Sequence, residues 1–298
     1  MITVFGSTNL DQIGTVSRLP KPGETVAGGT FSMAAGGKGA NQALAARRAG
    51  ADVRHVSGVG SDAFAPLALE LLKDDGVDLS AIKTVPGATG IAMIFVDEAG
   101  ENVIAILPGA NAGMTPTDAD AALSKASGGV LLVQQEIPQA ATERALDLAR
   151  ERGITSILNT APFLPTTAAL APKASILIAN ETEFALLTGT EADQLDAAMA
   201  NWAGAHGQTV IVTLGGEGAR AVTAEGQCIA VPALPIKPVD TVGAGDTFCG
   251  YLAAGLDSGL PLEAAMQRAA VAASLACLKP GAQPAIPQVD EVVAAMKA

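Results

Sequence analysis

Short apolar runs rich in β-branched residues alternate with helix-spaced segments along most of this chain. The runs 2–6, 53–58, 130–134, 155–159, 175–179 and 209–214 have strand length and few polar interruptions, as strands buried on both faces do. Between several of them, 38–49, 62–75, 139–152 and 181–188 carry a helical pattern. Gly50, Gly76, Gly153 and Gly189 stand just past those segments, where C-terminal caps belong. Strands alternating with helices predict an α/β fold, a mostly parallel sheet covered on both faces. Such sheets bind ligands beyond the carboxyl ends of their strands.

Two segments break the rhythm. Residues 10–35 and 88–109 contain no convincing helix and read as strands joined by turns. Gly90–Val96 returning as Asn102–Leu107 is a hairpin candidate. We read the two segments as one small β-sheet lid inserted into a main domain of residues 1–9, 36–87 and 110–298. The alternative is that they are extra edge strands of the main sheet. The Pro-rich stretch 280–287 reads as a turn leading into a short terminal helix.

Composition narrows the function classes. A chain of 298 residues, 49% hydrophobic, suits one large α/β domain with an insertion. One Trp, one Tyr and seven Phe leave little surface for stacking nucleic-acid bases. A net charge of −12 lacks the basic footprint that a phosphate backbone demands. A small anion is still possible, because a few backbone N–H groups and one Lys hold a phosphate locally. Cys228, Cys249 and Cys277 are too few and too scattered for a disulfide framework or a zinc site, and His55 and His206 have no metal-ligand spacing. No apolar run approaches the roughly 18 residues of a membrane span, and no signal peptide is apparent, so the cytoplasm is the expected location.

The candidate chemistry lies in separate polar clusters. Asp240–Phe248 contains the turn Gly243-Ala244-Gly245 followed by Asp246 and a helical stretch that stops near Gly259. Two glycines let backbone N–H groups approach a bound group, and a helix N-terminus favours an anion there. A carboxylate beside such a hole suits proton removal while charge develops on a transferred phosphoryl group. The same residues also read as a plain turn and helix cap. Gly36–Asn41, with Gly37 and Lys38, is a second glycine cluster before a helix, without the spacing of a Walker A loop. Asn9 and Asp11 follow the first strand at a spacing that shares one face in extended chain, or forms an Asx turn. Glu136 follows the strand at 130–134. Asn180 and Glu183 make either a capping box or a carboxylate that orders Mg²⁺ and its waters. Thr213-Leu214-Gly215-Gly216-Glu217-Gly218 is an N–H-rich turn that suits nucleotide phosphates or a hairpin.

Together and in this order, these residues resemble the ribokinase family of carbohydrate kinases over essentially the whole chain. The Asp240–Phe248 segment resembles the family's C-terminal signature and Gly36–Asn41 its N-terminal one. Gly281-Ala282-Gln283-Pro284 resembles a segment near the nucleotide and a monovalent-cation site. The resemblance implies a three-layer α/β/α domain with a β-sheet lid, often a homodimer contact, and direct transfer of a phosphoryl group from ATP to a sugar hydroxymethyl group. Asp246 is then the general base, with the N–H groups of Gly243, Ala244 and Gly245 as the anion hole. Asn9, Asp11, Gly37, Lys38, Asn41, Glu136 and Asp246 match sugar-contacting positions. Asn180, Thr213 to Gly218 and Gly245 match the ATP site. Glu183 matches an indirect Mg²⁺ position, and Asp240, Val242, Ala276, Lys279, Gly281 and Ala285 match a K⁺ site. Lys279 and Ala285 depart from the Arg and Ser often found there, which weakens the cation assignment. The set Asn9, Asp11, Asn41 and Glu136 favours ribose. Deoxyribose, a ketohexose, a nucleoside or a non-catalytic sugar-binding role remain as alternatives. The only aromatics in the lid segments are Phe31 and Phe95, which argues against stacking a nucleobase.

Overall fold

The computed structural model describes residues 1–124, 128–190 and 194–297. The main sheet contains β1 (Ile2–Phe5), β4 (Val53–Val59), β5 (Ile82–Thr84), β8 (Val130–Val133), β9 (Thr155–Asn159), β10 (Ile176–Asn180), β11 (Thr209–Thr213), β12 (Ala219–Val222) and β13 (Cys228–Val231). Their order is β13-β12-β11-β10-β9-β8-β1-β4-β5. The pairs from β11 to β5 are parallel, and β12 and β13 add antiparallel strands at one edge. Because β1 lies between β8 and β4, the chain runs to opposite sides of it, which opens a crevice at its carboxyl end.

Alternation along the strands divides the core into two. Ile2, Val4, Val130 and Leu132 face one cluster, whereas Phe5, Leu131 and Val133 face the other. On the first side pack α1 (Lys38–Arg48), α2 (Phe64–Asp74), α8 (Ala244–Asp257), α9 (Leu262–Ala276) and α10 (Val289–Ala295). On the second pack α3 (Pro116–Leu123), α4 (Gln139–Glu151), α5 (Thr167–Leu170), α6 (Glu181–Thr188) and α7 (Leu195–His206). The result is the expected three-layer fold. Each fully buried Leu or Ile in these clusters contributes about 1.5–3 kcal/mol. The glycines expected at helix ends, Gly50, Gly76, Gly153 and Gly189, all have positive φ.

Helices α1 and α8 approach to backbone contact. A Cβ on Gly250 would lie 2.5 Å from Ala45 Cβ and 2.6 Å from Gln42 O. Small residues at this crossing bring the first turns of the two helices together.

The helix-free segments form a separate four-stranded sheet and are not edge strands of the main one. It consists of β2 (Asn9–Val16), β3 (Gly28–Gly36), β6 (Gly90–Val96) and β7 (Asn102–Leu107), in the order β3-β2-β6-β7. Asp11 shares one face of it with Ile13 and Ile94, while Phe31, Met33, Met93 and Val103 lie on the other. Among the described residues no helix is long and apolar enough to cross a membrane.

Candidate active site

Helix α8 begins at Ala244 because Gly243 takes the left-handed conformation, φ 77°, and turns the chain into the first helical turn. A Cβ at Gly245 would meet nothing within 4 Å, so its backbone faces open space. Ala244 N–H is drawn to Thr241 O at 3.3 Å. The N–H groups of Gly243, Gly245 and Asp246 have no protein acceptor among the described residues. The expected anion hole therefore has Gly243 and Gly245 free, with Ala244 partly engaged.

Asp246 is buried and hydrogen-bonded from α1. Asn41 Nδ2 donates to its Oδ2 at 2.9 Å and Gln42 Nε2 to its Oδ1 at 2.8 Å. Gln42 Nε2 also reaches Asn159 Oδ1 (3.1 Å), and Gln42 Oε1 accepts from Gln134 Nε2 (2.6 Å). These amides orient the carboxylate within a cavity of about 160 Å³ that Lys38, Asn180, Glu183 and Gly245 also line. Among the described residues Asn41 Oδ1 has no partner. Lys38 is pushed up from the ordinary lysine value, chiefly by Asp246 and against the opposing effect of burial, so it stays cationic.

The predicted sugar residues gather at the carboxyl end of β1. Glu136 Oε2 accepts from Ser7 Oγ and from Lys38 N. Gly37, φ 89°, lies so close to Asn9 N that a Cβ would stand 2.7 Å away. Asp11 sits over Gly36, where a Cβ would come within 2.3 Å of its Oδ2. Burial first, then the charges of Glu136 and Asp246, push the Asp11 carboxyl up to about 7, with Lys38 opposing.

The nucleotide candidates border a second, largely apolar cleft of about 300 Å³. Thr213, Gly215, Gly216 and Gly218 line it with Pro235, Ile236 and Ala273. Leu214 instead packs in the core, and Glu217 is exposed and borders neither cavity. The turn also joins β11 to its antiparallel partner β12, so it is a hairpin and a cavity wall at once. Asn180 and Glu183 form the capping box, Glu183 N donating to Asn180 Oδ1 (2.8 Å) and Asn180 N to Glu183 Oε2 (3.1 Å). Thr160 Oγ1 donates to the same Oε2 (2.8 Å). The two cavities meet at Thr213 and Gly245, beside Asp246.

The profile of the pfkB family carbohydrate kinases matches residues 1–289. This chain belongs to that family. The bifunctional ribokinase/ribose-5-phosphate isomerase A of Fructilactobacillus sanfranciscensis is 39% identical, over 98% of this chain and 55% of that protein. The deoxyribokinase of Salmonella typhi is 34% identical over 97% of this chain and 96% of that one. Among solved structures, Arabidopsis thaliana ribokinase complexed with ribose and ATP superposes with a TM-score of 0.91. It has 32% identity and covers 100% of this chain and 98% of its own. A pfkB carbohydrate kinase is a phosphotransferase that acts on a sugar.

Sequence reasoning missed Gln42, Gln134 and Asn159. One signal was present: Gln42 interrupts an otherwise alanine-rich helical face, and a fully buried Gln requires partners. Nothing local could pair it with Gln134, just past β8, or with Asn159 at the end of β9.

Proposed function

We propose that this enzyme transfers the γ-phosphoryl group of ATP to the hydroxymethyl oxygen of D-ribose, giving ribose 5-phosphate and ADP. The observation that carries the reading is the meeting of an apolar cleft with a polar cavity at Asp246. The apolar cleft suits the nucleotide base, and Thr213–Gly218 with Asn180 suits its phosphates. Asn9, Asp11, Asn41 and Glu136 hold the sugar hydroxyls, with Gly37 and Lys38 at the sugar's edge. Asp246 removes the hydroxymethyl proton as that oxygen attacks the γ-phosphorus and the bond to ADP breaks. The N–H groups at the start of α8 stabilise the charge on the transferred group.

Mg²⁺ bound with the nucleotide supplies neutralisation of phosphate charge. Glu183 fits the role of ordering it, because the two hydrogen bonds its carboxylate accepts, from Asn180 N and Thr160 Oγ1, both use Oε2, and Oε1 has no partner among the described residues. The expected K⁺ position also fits. Asp240 Oδ1 accepts from Val242 N (3.0 Å) and Oδ2 from Gly281 N (2.8 Å), which ties the two segments together. The carbonyls of Val242, Lys279 and Gly281 accept no hydrogen bond among the described residues. Ala276 and Ala285 are buried beside this loop and offer only backbone oxygens. The Lys279 ammonium pairs with Glu291 at 3.1 Å, which favours an ion over Lys279 as the source of positive charge. Turnover in potassium therefore exceeds turnover in sodium or a bulky organic cation at equal ionic strength, and Asp240→Ala abolishes the difference. Equal rates in all three salts would reject the site.

The lid forms a homodimer contact through its outer face. Phe31 is 65% exposed and Val103 51%, and Met33 and Met93 are also exposed, an apolar patch unusual for a monomer. Phe31→Asp with Met93→Asp is expected to halve the mass in sedimentation equilibrium. An unchanged mass would exclude this face.

The deciding assay is sugar-dependent ADP release over ribose, deoxyribose, a ketohexose and a nucleoside, in the cytoplasmic pH range. The highest kcat/KM with ribose supports the reading. A preference for deoxyribose, the sugar named for the Salmonella typhi relative, would replace it.

A further inference from the structure

We propose that Asn111 is a positioning residue for sugar binding, fixing the Asn9 carboxamide so that its nitrogen and not its oxygen faces the sugar. The inference rests on the reading of Asn9 as a sugar contact.

Asn111 lies in the short 3-10 turn Gly109–Gly113 that follows β7, and it is 1% exposed. Its Oδ1 accepts from Thr8 N at 2.9 Å, and its Nδ2 donates to Thr8 O at 3.1 Å. The side chain thus engages the main chain at Thr8 as a neighbouring strand would. That engagement fixes its orientation, because a backbone N–H requires an acceptor and a backbone carbonyl a donor. Flipping Asn111 would set donor against donor and oxygen against oxygen.

The polarity then passes to Asn9. Asn111 Nδ2 donates its second hydrogen to Asn9 Oδ1 at 2.7 Å. Asn9 must turn its oxygen inward, which leaves its own Nδ2 without a protein acceptor among the described residues. Asp11 follows two residues later on the same strand face and is an acceptor when ionised. One donor and one acceptor side by side match a sugar hydroxyl, which accepts from one and donates to the other. A flipped Asn9 would offer two acceptors instead.

The surroundings hold this arrangement. A Cβ at Gly90 would stand 2.3 Å from both Asn111 Nδ2 and Asn9 Oδ1, so only glycine leaves room for the pair. Thr8 is anchored below, its Oγ1 donating to Ser57 Oγ (2.9 Å) and lying 2.9 Å from His55 Nε2. Asn9, Gly90 and Asn111 are also where β2, β6 and β7 join the main domain, so the same amide ties the first and last crossings of the lid.

The test is steady-state kinetics on the full chain with Asn111→Asp, Gly90→Ala, Asn9→Ala and the Asn9/Asn111 double variant. Asn111→Asp keeps size and the bond from Thr8 N but opposes Asn9 Oδ1 with oxygen. Gly90→Ala keeps both amides chemically intact and wedges them apart, which covers the case in which Asn111→Asp does not fold. The expected result is a KM for ribose raised about tenfold or more, with the KM for ATP and kcat at saturating ribose within about threefold. The double variant should be no worse than Asn9→Ala alone. Additive losses, an equal rise in the KM for ATP, or an unchanged KM for ribose while Asn9→Ala raises it would each overturn the proposal and leave the sugar contact standing. No effect of Asn9→Ala itself would remove both.

Discussion

Asp246→Asn lowers kcat by roughly 10²–10⁴, while ribose and ATP still bind. The charge is lost but the shape is kept. The amide also presents an NH₂ group to a pocket built of donors, since Asn41 Nδ2 and Gln42 Nε2 both point at this side chain. One of these contacts becomes donor against donor, costing about 1–3 kcal/mol of stability. The protein is therefore expected to melt earlier yet fold fully. Calorimetric titration with each substrate, beside turnover on the same sample, separates chemistry from binding. A folded variant that turns over near the parent rate would remove Asp246 from the reaction.

Asp11→Asn is expected to make the protein more stable and a worse kinase. The Asp11 carboxyl is raised to about 7 from its ordinary 3.8, by burial first and then by Glu136 and Asp246. The folded state therefore holds this proton more tightly than the unfolded chain does. Stability from this group is fully present below the unfolded value and is lost as pH rises through about 7. At pH 8 the parent carries the whole penalty and the Asn variant none of it. The gain there is about 1–3 kcal/mol, after discounting for the residue's partial exposure, and it vanishes at the acid end. The sugar loses a charged acceptor, so its affinity falls by roughly 10–100-fold while ATP affinity holds. Melting curves at acid pH and at pH 8 check the sign. A variant less stable than its parent at pH 8 would contradict the assignment of Asp11 as a strained, functional carboxylate.

Much of this was legible because the responsible signals are local. The Gly243–Asp246 turn declares a helix start by its own residues, and Gly50, Gly76, Gly153 and Gly189 declare helix ends. Asn180 and Glu183 stand at the spacing of the capping box they form. What stayed hidden is either low in contrast or long in range. Helix α9 has no side-chain cap to mark its start, and its many alanines blunt the contrast between its faces. The antiparallel edge strands β12 and β13 lack the unbroken buried run that marks the equally short β1 and β8, since Arg220 interrupts one and exposure alternates along the other. Gln42 meets Gln134 and Asn159 only after three elements have been brought together, and Asn111 reaches Thr8 across 103 positions of chain. The pairing of Lys279 with Glu291 likewise depends on where α10 docks.

The close approach of Gly250 to the backbone of Gln42 and Ala46 divides the molecule's labour. It locks α1 and α8 into one stiff body, and that body carries Asp246 together with the amides that aim it. Asn9 and Asp11 belong instead to the first strand of a separate sheet. On the proposed reading, part of the sugar contact is thus built on a different piece of chain from the reacting group, while Asn41 and Lys38 share the body that carries Asp246. On that reading, changes at Asn9 or Asp11 alter the sugar contact from the outer sheet and leave the α1–α8 packing as it is. Substitutions at Gly250 have no such latitude, because even one added methyl group forces the reacting body apart.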